Sequence, residues 1–537
     1  MSALLVVVCL AAPPLEKELQ TFDPVNLPRK EAKALRAEVA RRAKARYGSY
    51  AGDHYAELWG EVGTARKRER LVAATARQRE ALEAEGAPDH SPATQFVCEV
   101  YAVLEQRRLA VDRQRDELRK EYRSLVTGEP TGKHVIKLGS QERAAILTGD
   151  RVLLREYAYH LLRLRIRCVH LLELKKAPDS ERYLVRQALK AREPHLRARV
   201  AEVLSRRPDV PLGVFLGAMA KEKEPGVRAV LARALGHLGA RAQDAIERIA
   251  PFLEDPDERV RVALARSLAR LHVPEAVEPL IVRLGKEEGR ARHDFALALL
   301  SLTGEKIGPD PDGWARWWQG NKEVVLGEGL PPPGGGKGDL RAHRWKGEGG
   351  FYYGLPQVSK RIIYILDISD SMRFVHEGQT RLERCVTEVN RAIGALPRTA
   401  TFAVLAYNSE VRPWRTEMSF ATPANKDAAK AFIAELRRAH TTNIYDALRE
   451  AFTIAGGGAA KKGTRVKADT IYLISDGAPT LPDASYDDPE RILKAVREWN
   501  ALQRITIHTI GIGKGLKFSF LIKLAEENHG EFIRKEW

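Results

Sequence analysis

Hydrophobic residues follow two different spacings along this chain. From residue 28 to about residue 322 they recur every three or four positions, which is typical of amphipathic helices. From residue 354 onward, short continuous apolar runs alternate with segments of helical spacing, which indicates buried parallel strands joined by helices. The pattern therefore predicts a multidomain protein, with an all-α N-terminal part followed by an α/β doubly wound parallel sheet.

The helical part divides into a helical region at residues 28–126 and a repetitive region at residues 140–322. In the repetitive region, an acidic residue and a proline open a turn, and apolar residues at helical spacing follow. The copies begin at Glu193, Glu224, Asp255 and, in a degenerate form, Gly289. A helix pair of this kind cannot bury its apolar face alone, so the repeat predicts a stacked α-solenoid.

A tryptophan-rich segment closes the repeats, with Trp314, Trp317 and Trp318 at positions i, i+3 and i+4 of a predicted helix. We expect this helix to cap the open end of the last repeat, and an aromatic ligand platform is the alternative. Residues 323–353 are rich in Pro and Gly and lose the periodicity, which predicts a linker. The α/β domain would then occupy residues 354–537.

The apolar run at residues 1–12 resembles a signal peptide, with small residues that allow cleavage after Ala11, although no Lys or Arg precedes the run. A secreted or periplasmic protein is the expectation, and a cytoplasmic protein is the alternative. No other apolar run approaches the roughly 18 residues of a membrane-spanning helix. The four cysteines are too widely spaced to indicate a zinc knuckle or a disulfide framework: Cys9, Cys98, Cys168 and Cys385.

The formal net charge of +17 raises the question of nucleic-acid binding, because a basic surface attracts phosphates. Arginines are interleaved with glutamates along the helical segments, however, which is typical of a solvated helix face with ion pairs one turn apart. We therefore expect no nucleic-acid partner, and keep a basic, polyanion-binding solenoid as an alternative.

Polar residues stand at the ends of two predicted strands, RIIYILD and TIYLISD, which end at Asp367 and Asp476. In a doubly wound sheet, ligands bind beyond the carboxyl ends of the strands. Alternate residues of an extended segment face the same way, so Asp367, Ser369 and Ser371 can converge on one point. Carboxylates and hydroxyls suit Mg²⁺, with Mn²⁺ or Ca²⁺ as alternatives, so the pattern predicts a divalent-cation site.

The sequence Asp367-Ile-Ser369-Asp-Ser371 resembles the Asp-x-Ser-x-Ser signature of the von Willebrand factor A (VWA) domain and its metal-ion-dependent adhesion site, often abbreviated MIDAS. The family's threonine matches Thr442, and its second aspartate matches Asp476. The resemblance covers about a third of the chain and implies a Rossmann-like fold. It also implies that Ser369 and Ser371 bind the metal directly, that Thr442 binds directly or through water, and that both aspartates act mainly through water.

The repeats resemble HEAT repeats, with acidic-Pro turns and Val-Arg pairs such as Val227-Arg228 and Val260-Arg261 opening the second helix. This resemblance implies a curved scaffold that makes protein contacts. Together the two resemblances imply a metal-ion-dependent protein-binding protein, for adhesion or as a scaffold, whose cation accepts an Asp or Glu carboxylate of a protein partner.

We expect no enzyme activity, since no group near the strand ends is poised to activate a nucleophile. Ser371 lacks the Gly-x-Ser-x-Gly turn of a hydrolase. A non-ATPase subunit of a metal-inserting or ATP-driven complex is a further alternative. One position departs from the VWA signature: Asp370 replaces a common glycine, and it either faces solvent or adds its charge to the cation site.

Overall fold

The computed structural model of the protein describes residues 178–239, 245–332, 350–438, 442–457, 466–476, 479–480, 488–514 and 518–536, with isolated residues between positions 98 and 173. The predicted signal peptide, most of the helical region and residues 333–349 of the predicted linker lie outside these ranges. The chain divides into two units, residues 1–200 and 201–537. No helix in the described ranges is long and apolar enough to cross a membrane.

In the first unit, the described helices are α1 (Pro178–Arg186) and the start of α2 (Pro194–Ser205), which continues into the second unit. A buried ion pair joins Arg165 Nη2 and Glu105 Oε2 at 2.8 Å, and Arg165 also donates to the Tyr101 hydroxyl at 2.9 Å. Burial alone would raise the pKa of Glu105, but Arg108 and Arg165 hold it well below its usual value. This carboxylate is therefore ionised in the folded protein.

The repeats of the second unit form successive helices whose apolar faces are buried against one another. They are α3 (Leu212–Lys221), α4 (Pro225–Leu235), α5 (Ile246–Ile249), α6 (Glu258–Leu271), α7 (Val277–Lys286) and α8 (Gly289–Thr303). Helix α4 packs against α6, and α6 against α8. The acidic-Pro turns explain the helix starts, because Pro225 occupies the first turn of α4 and the Asp257 side chain caps α6.

Equivalent arginines join consecutive repeats. Arg228 donates to both carboxylate oxygens of Asp255 at 2.7 and 2.9 Å, and Arg261 donates to both oxygens of Glu287 at 2.5 and 2.9 Å. Each acceptor belongs to the turn that opens the next repeat. Bidentate pairs of this kind fix orientation as well as distance, so the arginine of the Val-Arg pair sets the stacking of successive repeats.

Helix α9 (Pro311–Glu328) carries the three tryptophans and packs against α7. Trp314 is fully buried, and its indole Nε1 donates to the Gly308 carbonyl at 2.7 Å. Trp318 is also buried, and its ring stacks on that of Trp317. The helix runs to Glu328, so it extends into the segment that the sequence assigned to the linker.

The α/β domain is built on one seven-stranded sheet in the order β11-β10-β9-β3-β6-β7, with β8 also paired to β6. Its strands are β3 (Arg361–Asp367), β6 (Thr401–Tyr407), β7 (Val411–Pro413), β8 (Ser419–Phe420), β9 (Thr470–Ser475), β10 (Thr506–Ile512) and β11 (Phe532–Lys535). Five strands are parallel: the apolar runs predicted β3, β6, β9 and β10, and β11 is an additional strand. The two short edge strands β7 and β8 are antiparallel and make the sheet mixed.

Two small hairpins flank this sheet, and helices cover both of its faces. The hairpins are β1 (Phe351–Tyr352) with β2 (Leu355–Pro356) and β4 (Val375–His376) with β5 (Gln379–Thr380). The helices are α10 (Arg381–Ala395), α11 (Pro423–Ala434), α12 (Ile444–Phe452), α13 (Pro489–Trp499) and α14 (Ser519–Glu527). Helix α10 begins at a capping box between Thr380 and Glu383, which fixes Arg381 as its first residue.

The solenoid contacts the sheet at the end where the parallel strands begin. Arg259 Nη1 donates to the Leu502 carbonyl at 2.9 Å, and Arg290 Nη1 donates to the Asp469 carbonyl at 3.1 Å. Arg361, the first residue of β3, pairs with Glu258 at the start of α6. The opposite end of the sheet, where the parallel strands end, carries Asp367 and Asp476.

The close approach of Gly226 to the α/β domain gives a test of this contact between the solenoid and the sheet. A Cβ atom at Gly226 would lie 2.6 Å from the Leu502 carbonyl oxygen, whereas a Cβ at Gly213 meets nothing within 4 Å. We expect Gly226→Ala to destabilise the protein by about 1–3 kcal/mol. Gly213→Ala should be neutral or stabilising by up to about 1 kcal/mol, because alanine is the better helix former.

Denaturant unfolding of the two variants and the wild type measures these changes in the free energy of unfolding. Both exchanges are Gly→Ala in the first turn of a solenoid helix, so each controls for helix propensity in the other. Equal unfolding midpoints for the two variants would contradict the contact between α4 and the segment at Leu502.

Candidate metal centre

The predicted site lies where β3 ends, between β6 and β9. Asp367 is the last residue of β3, and its register partner in β6 is Tyr407. The Ser369 backbone N–H donates to Asp367 Oδ1 at 2.8 Å, which folds the Asp-x-Ser segment back over the strand end. The 3₁₀ turn at Asp370–Arg373 then turns the chain towards the β4–β5 hairpin.

Asp367 is fully buried, and hydroxyl groups surround its second oxygen. Tyr407 donates from its hydroxyl to Asp367 Oδ2 at 3.0 Å, and Ser475 Oγ donates to the same oxygen at 2.9 Å. Burial and the charge of nearby Asp476 raise the pKa of Asp367 to about 6, although hydrogen bonds from Ser369 and Ser475 oppose the shift. The site therefore holds a carboxylate whose charge is costly without a cation.

The two serines and Asp476 form a continuous chain of oxygen atoms. Ser369 Oγ lies 3.0 Å from Ser371 Oγ, and Ser371 Oγ donates to Asp476 Oδ1 at 2.6 Å. An octahedral Mg²⁺ site with oxygen ligands at about 2.1 Å has neighbouring ligands about 3 Å apart. The separation of the serine hydroxyls fits that spacing.

Arg381 is a member of the site that the sequence did not reveal. Its Nη1 donates to Asp476 Oδ2 at 2.7 Å, the Asp476 side chain is fully buried, and the Arg381 side chain is 13% exposed. Asp476 thus offers one oxygen to Ser371 and the other to a guanidinium. The arginine fixes the orientation of this carboxylate and balances one of the two buried negative charges.

Thr442 lies in the segment before α12, as the resemblance implied, and its side chain is buried. Its backbone is tied to the loop after β9, because Thr442 N–H donates to Thr480 Oγ1 at 2.7 Å and Thr480 N–H donates to the Thr442 carbonyl at 2.9 Å. Among the described residues, no hydrogen bond joins the Thr442 side chain to the two serines or to either aspartate. The structure thus links four of the five predicted residues and places the fifth in an adjacent loop.

Asp370, at the position that departs from the VWA signature, points away from the oxygen chain. Its carboxylate is 57% exposed and accepts a hydrogen bond from Arg373 Nη1 at 3.1 Å. This is the solvent-facing arrangement of the two that the sequence allowed. Phe374 and Val375, which follow it, are 53% and 64% exposed, so large apolar side chains lie beside the site.

The described donor set consists of oxygen atoms only, which is the chemistry that Mg²⁺ and related hard cations require. No group of three or more His, Cys, Asp or Glu side chains in the described ranges is placed to hold a metal. The set depends instead on serine hydroxyls flanked by two carboxylates. Tyr407, Ser475 and Arg381 contact the two carboxylates from outside this set, and only the position of Ser475 beside Asp476 is visible as a pattern in the sequence.

Comparison with known proteins assigns both parts of the second unit. Residues 360–532 match the family described as von Willebrand factor type A domain, and residues 213–300 match the family described as HEAT repeats. These ranges confirm the two resemblances that the sequence motifs indicated.

Curated relatives match the α/β domain. Inter-alpha-trypsin inhibitor heavy chain H2 of Homo sapiens is 30% identical over 178 residues, which are 33% of this chain and 18% of that protein. Inter-alpha-trypsin inhibitor heavy chain H3 of Rattus norvegicus is 28% identical over 184 residues, which are 34% of this chain and 20% of that protein. The chain thus spans about a fifth of the length of these relatives.

Solved structures also match over a third of the chain. A von Willebrand factor type A protein from Catenulispora acidiphila is 21% identical, with a TM-score of 0.27, and the match covers 33% of this chain and 38% of that one. Proximal thread matrix protein 1 from the mussel byssus is 19% identical, with a TM-score of 0.26, and the match covers 33% and 43% of the two chains. This chain therefore contains a von Willebrand factor type A domain at residues 360–532, preceded by HEAT repeats at residues 213–300.

Proposed function

We propose that the A domain binds a divalent cation, Mg²⁺ with Mn²⁺ or Ca²⁺ as alternatives, and through it an Asp or Glu carboxylate of a protein partner. Ser369 and Ser371 would hold the cation, with Asp367, Asp476 and Thr442 around them. A bound cation supplies Lewis acidity and an open coordination position that an acidic side chain of a partner can fill. The relation to inter-alpha-trypsin inhibitor heavy chains supports a role in protein interaction.

The observation that carries this proposal is the arrangement of Asp367 and the serines. A fully buried carboxylate, with its pKa raised by burial and by a second carboxylate, lies two residues from a pair of hydroxyls 3.0 Å apart. A divalent cation would compensate the buried charge and use the hydroxyl pair as ligands.

The surroundings of the site support binding rather than catalysis. Seven large hydrophobic side chains are strongly exposed in the described ranges, and two of them, Phe374 and Val375, are neighbours beside the serines. Adjacent exposed apolar residues are typical of a protein contact surface. No described His, Cys or Lys side chain donates to or accepts from the serine hydroxyls, so we propose that the protein is not an enzyme.

The apolar run at residues 1–12 supports a secreted or periplasmic setting.

Capture of partners from the native source tests metal-dependent binding. In Mg²⁺, we expect the wild type and the control variant Asp370→Ala to retain the same set of partners. The carboxylate that Asp370→Ala removes is exposed and lies outside the oxygen chain. Chelator, Asp367→Ala and Ser371→Ala should each release those partners, because each removes the cation or a group that holds it. Ser371→Ala removes a single hydroxyl, so it separates loss of metal from loss of folding. Recovery of the same partners in all five samples would contradict the proposal.

Competition between protons and the cation predicts a pH dependence. Since the pKa of Asp367 is about 6, a proton occupies this carboxylate at lower pH. Magnesium affinity, measured by titration calorimetry, should therefore rise about tenfold between about pH 5 and about pH 7. Asp370→Ala should show the same rise, and an affinity that stays constant over this interval would exclude Asp367 from the site.

Thermal unfolding gives the same dependence a second readout. The folded-state pKa of Asp367, about 6, lies above the usual value of an aspartate carboxyl. Ionisation of Asp367 therefore opposes folding of the metal-free protein as the pH rises from about 4 to above 6. Bound magnesium removes this opposition, so the increase in Tm on adding Mg²⁺ should be larger at about pH 7 than at about pH 5.

Removal of Arg381 should make folding more dependent on the metal. Arg381→Gln leaves Asp476 buried without its ion-pair partner, which costs about 3 kcal/mol in chelator. Saturating Mg²⁺ should then restore more stability to this variant than it adds to the wild type. The matched control is Arg391→Gln on the same helix, whose side chain is 57% exposed, and its effect should be below about 1 kcal/mol. Equal stability of the two variants in chelator would show that Arg381 does not compensate the site.

A further inference from the structure

A basic cavity lies between the HEAT repeats and the A domain. It is at the end of the sheet where the parallel strands begin, remote from Ser369 and Ser371. Its volume is about 450 Å³, which is the size of a small-molecule site. Nine arginines and four carboxylates line it, and three of those arginines pair with Asp255, Glu202 and Glu287, which do not line the cavity. The other six arginines still outnumber the four lining carboxylates, so positive charge predominates in its wall.

A second cavity, of about 530 Å³, adjoins the first. The two cavities share five lining residues, and we refer to the two adjoining cavities together as the cleft. The shared residues are Arg266 and Arg270 of α6, Arg290 and Asp294 of α8, and His529 between α14 and β11.

The shared arginines have more charge and more donors than their protein partners use. Arg266 Nη2 donates to Asp294 Oδ1 at 2.8 Å and Arg290 Nε donates to Asp294 Oδ2 at 3.1 Å, so two guanidinium groups share one carboxylate. The contact of Arg270 is with His237 Nε2 at 3.0 Å. Within the described part of the chain, Arg266 and Arg270 each make one side-chain hydrogen bond, although each guanidinium has five N–H donors.

His529 reports the electrostatic potential of the cleft. The charge of Arg266, followed by burial and the charge of Arg504, lowers the pKa of His529 to about 2. Its imidazole is therefore neutral at physiological pH and keeps one N–H group that can donate to an anion. A bound anion would offset the positive field and raise this pKa.

We propose that the cleft binds a small phosphate dianion, either inorganic phosphate or the phosphate monoester group of a small molecule, through Arg266 and Arg270. These two arginines lie one helical turn apart on α6, so their side chains occupy one face of the helix. Planar guanidinium groups match tetrahedral oxyanions with paired N–H donors. The cavity is much larger than a phosphate ion, so the organic part of a monoester has room beside it.

Titration calorimetry in chelator tests the proposal, because the candidate metal centre then contributes no cation for phosphate. The probes are inorganic phosphate and glycerol 3-phosphate, with sodium chloride at equal ionic strength as the reference. We expect saturable binding by the wild type and a loss of at least about tenfold in Arg266→Gln/Arg270→Gln. The control is Arg316→Gln, which removes one positive charge, as each of the two exchanges does, at a residue that is 72% exposed and outside the cleft, and its affinity should equal the wild-type value.

Two further measurements distinguish the outcomes. The NMR resonances of the His529 ring should shift on addition of phosphate, and Asp367→Ala should bind phosphate as the wild type does, whatever the metal centre does. If the double variant unfolds, Arg270→Gln replaces it, since Arg270 is exposed and its one side-chain hydrogen bond to a described residue is with His237. Tighter binding of glycerol 3-phosphate than of phosphate identifies a monoester ligand, and the reverse identifies the free ion.

Three results would overturn the proposal. The first is the absence of saturable binding for either probe. The second is equal affinity in the wild type and the arginine variants. The third is binding of a single-stranded DNA oligonucleotide without binding of either small phosphate, which would instead assign the cleft to nucleic acid.

Discussion

The parallel pairing of β3 with β9 is the constraint on which the candidate site depends. This pairing brings Asp367 and Asp476, which are 109 positions apart in the chain, to one edge of the sheet, and both carboxylates are buried there. Two like charges in a protein interior are unfavourable, and each additional donor or cation offsets that cost. Tyr407 and Ser475 supply hydroxyls and Arg381 supplies a positive charge, and the serine pair is where we propose that a divalent cation binds.

The two ends of the parallel strands have different surroundings. At the start of the strands, Arg361 and the Asp469 carbonyl engage the HEAT repeats through ion pairs and hydrogen bonds. The ends of the strands present the serines together with the exposed side chains of Phe374 and Val375. The repeats therefore contact the A domain where its parallel strands begin. The described solenoid helices leave the other end of the strands, with the candidate site, uncovered. This arrangement is compatible with the proposed binding of a partner there.

Local patterns are sufficient to predict the long parallel strands and the residues that lie close together in the sequence. The apolar run before Asp367 and the alternation of Ser369 and Ser371 identified a strand and the segment that folds over its end. Sheet order and helix position are not local properties, so the sequence could not show that Tyr407 and Arg381 reach the two aspartates. The short antiparallel strands β7 and β8 were missed for a similar reason, because their two or three residues carry no periodicity.

The most direct test of the central claim is the position of Mn²⁺ in a crystal of the protein, located by anomalous diffraction. The account predicts one peak at about 2.2 Å from both Ser369 Oγ and Ser371 Oγ, with Asp367 and Asp476 around it. Manganese bound elsewhere, or no peak near the serines while Arg381 still contacts Asp476, would contradict it.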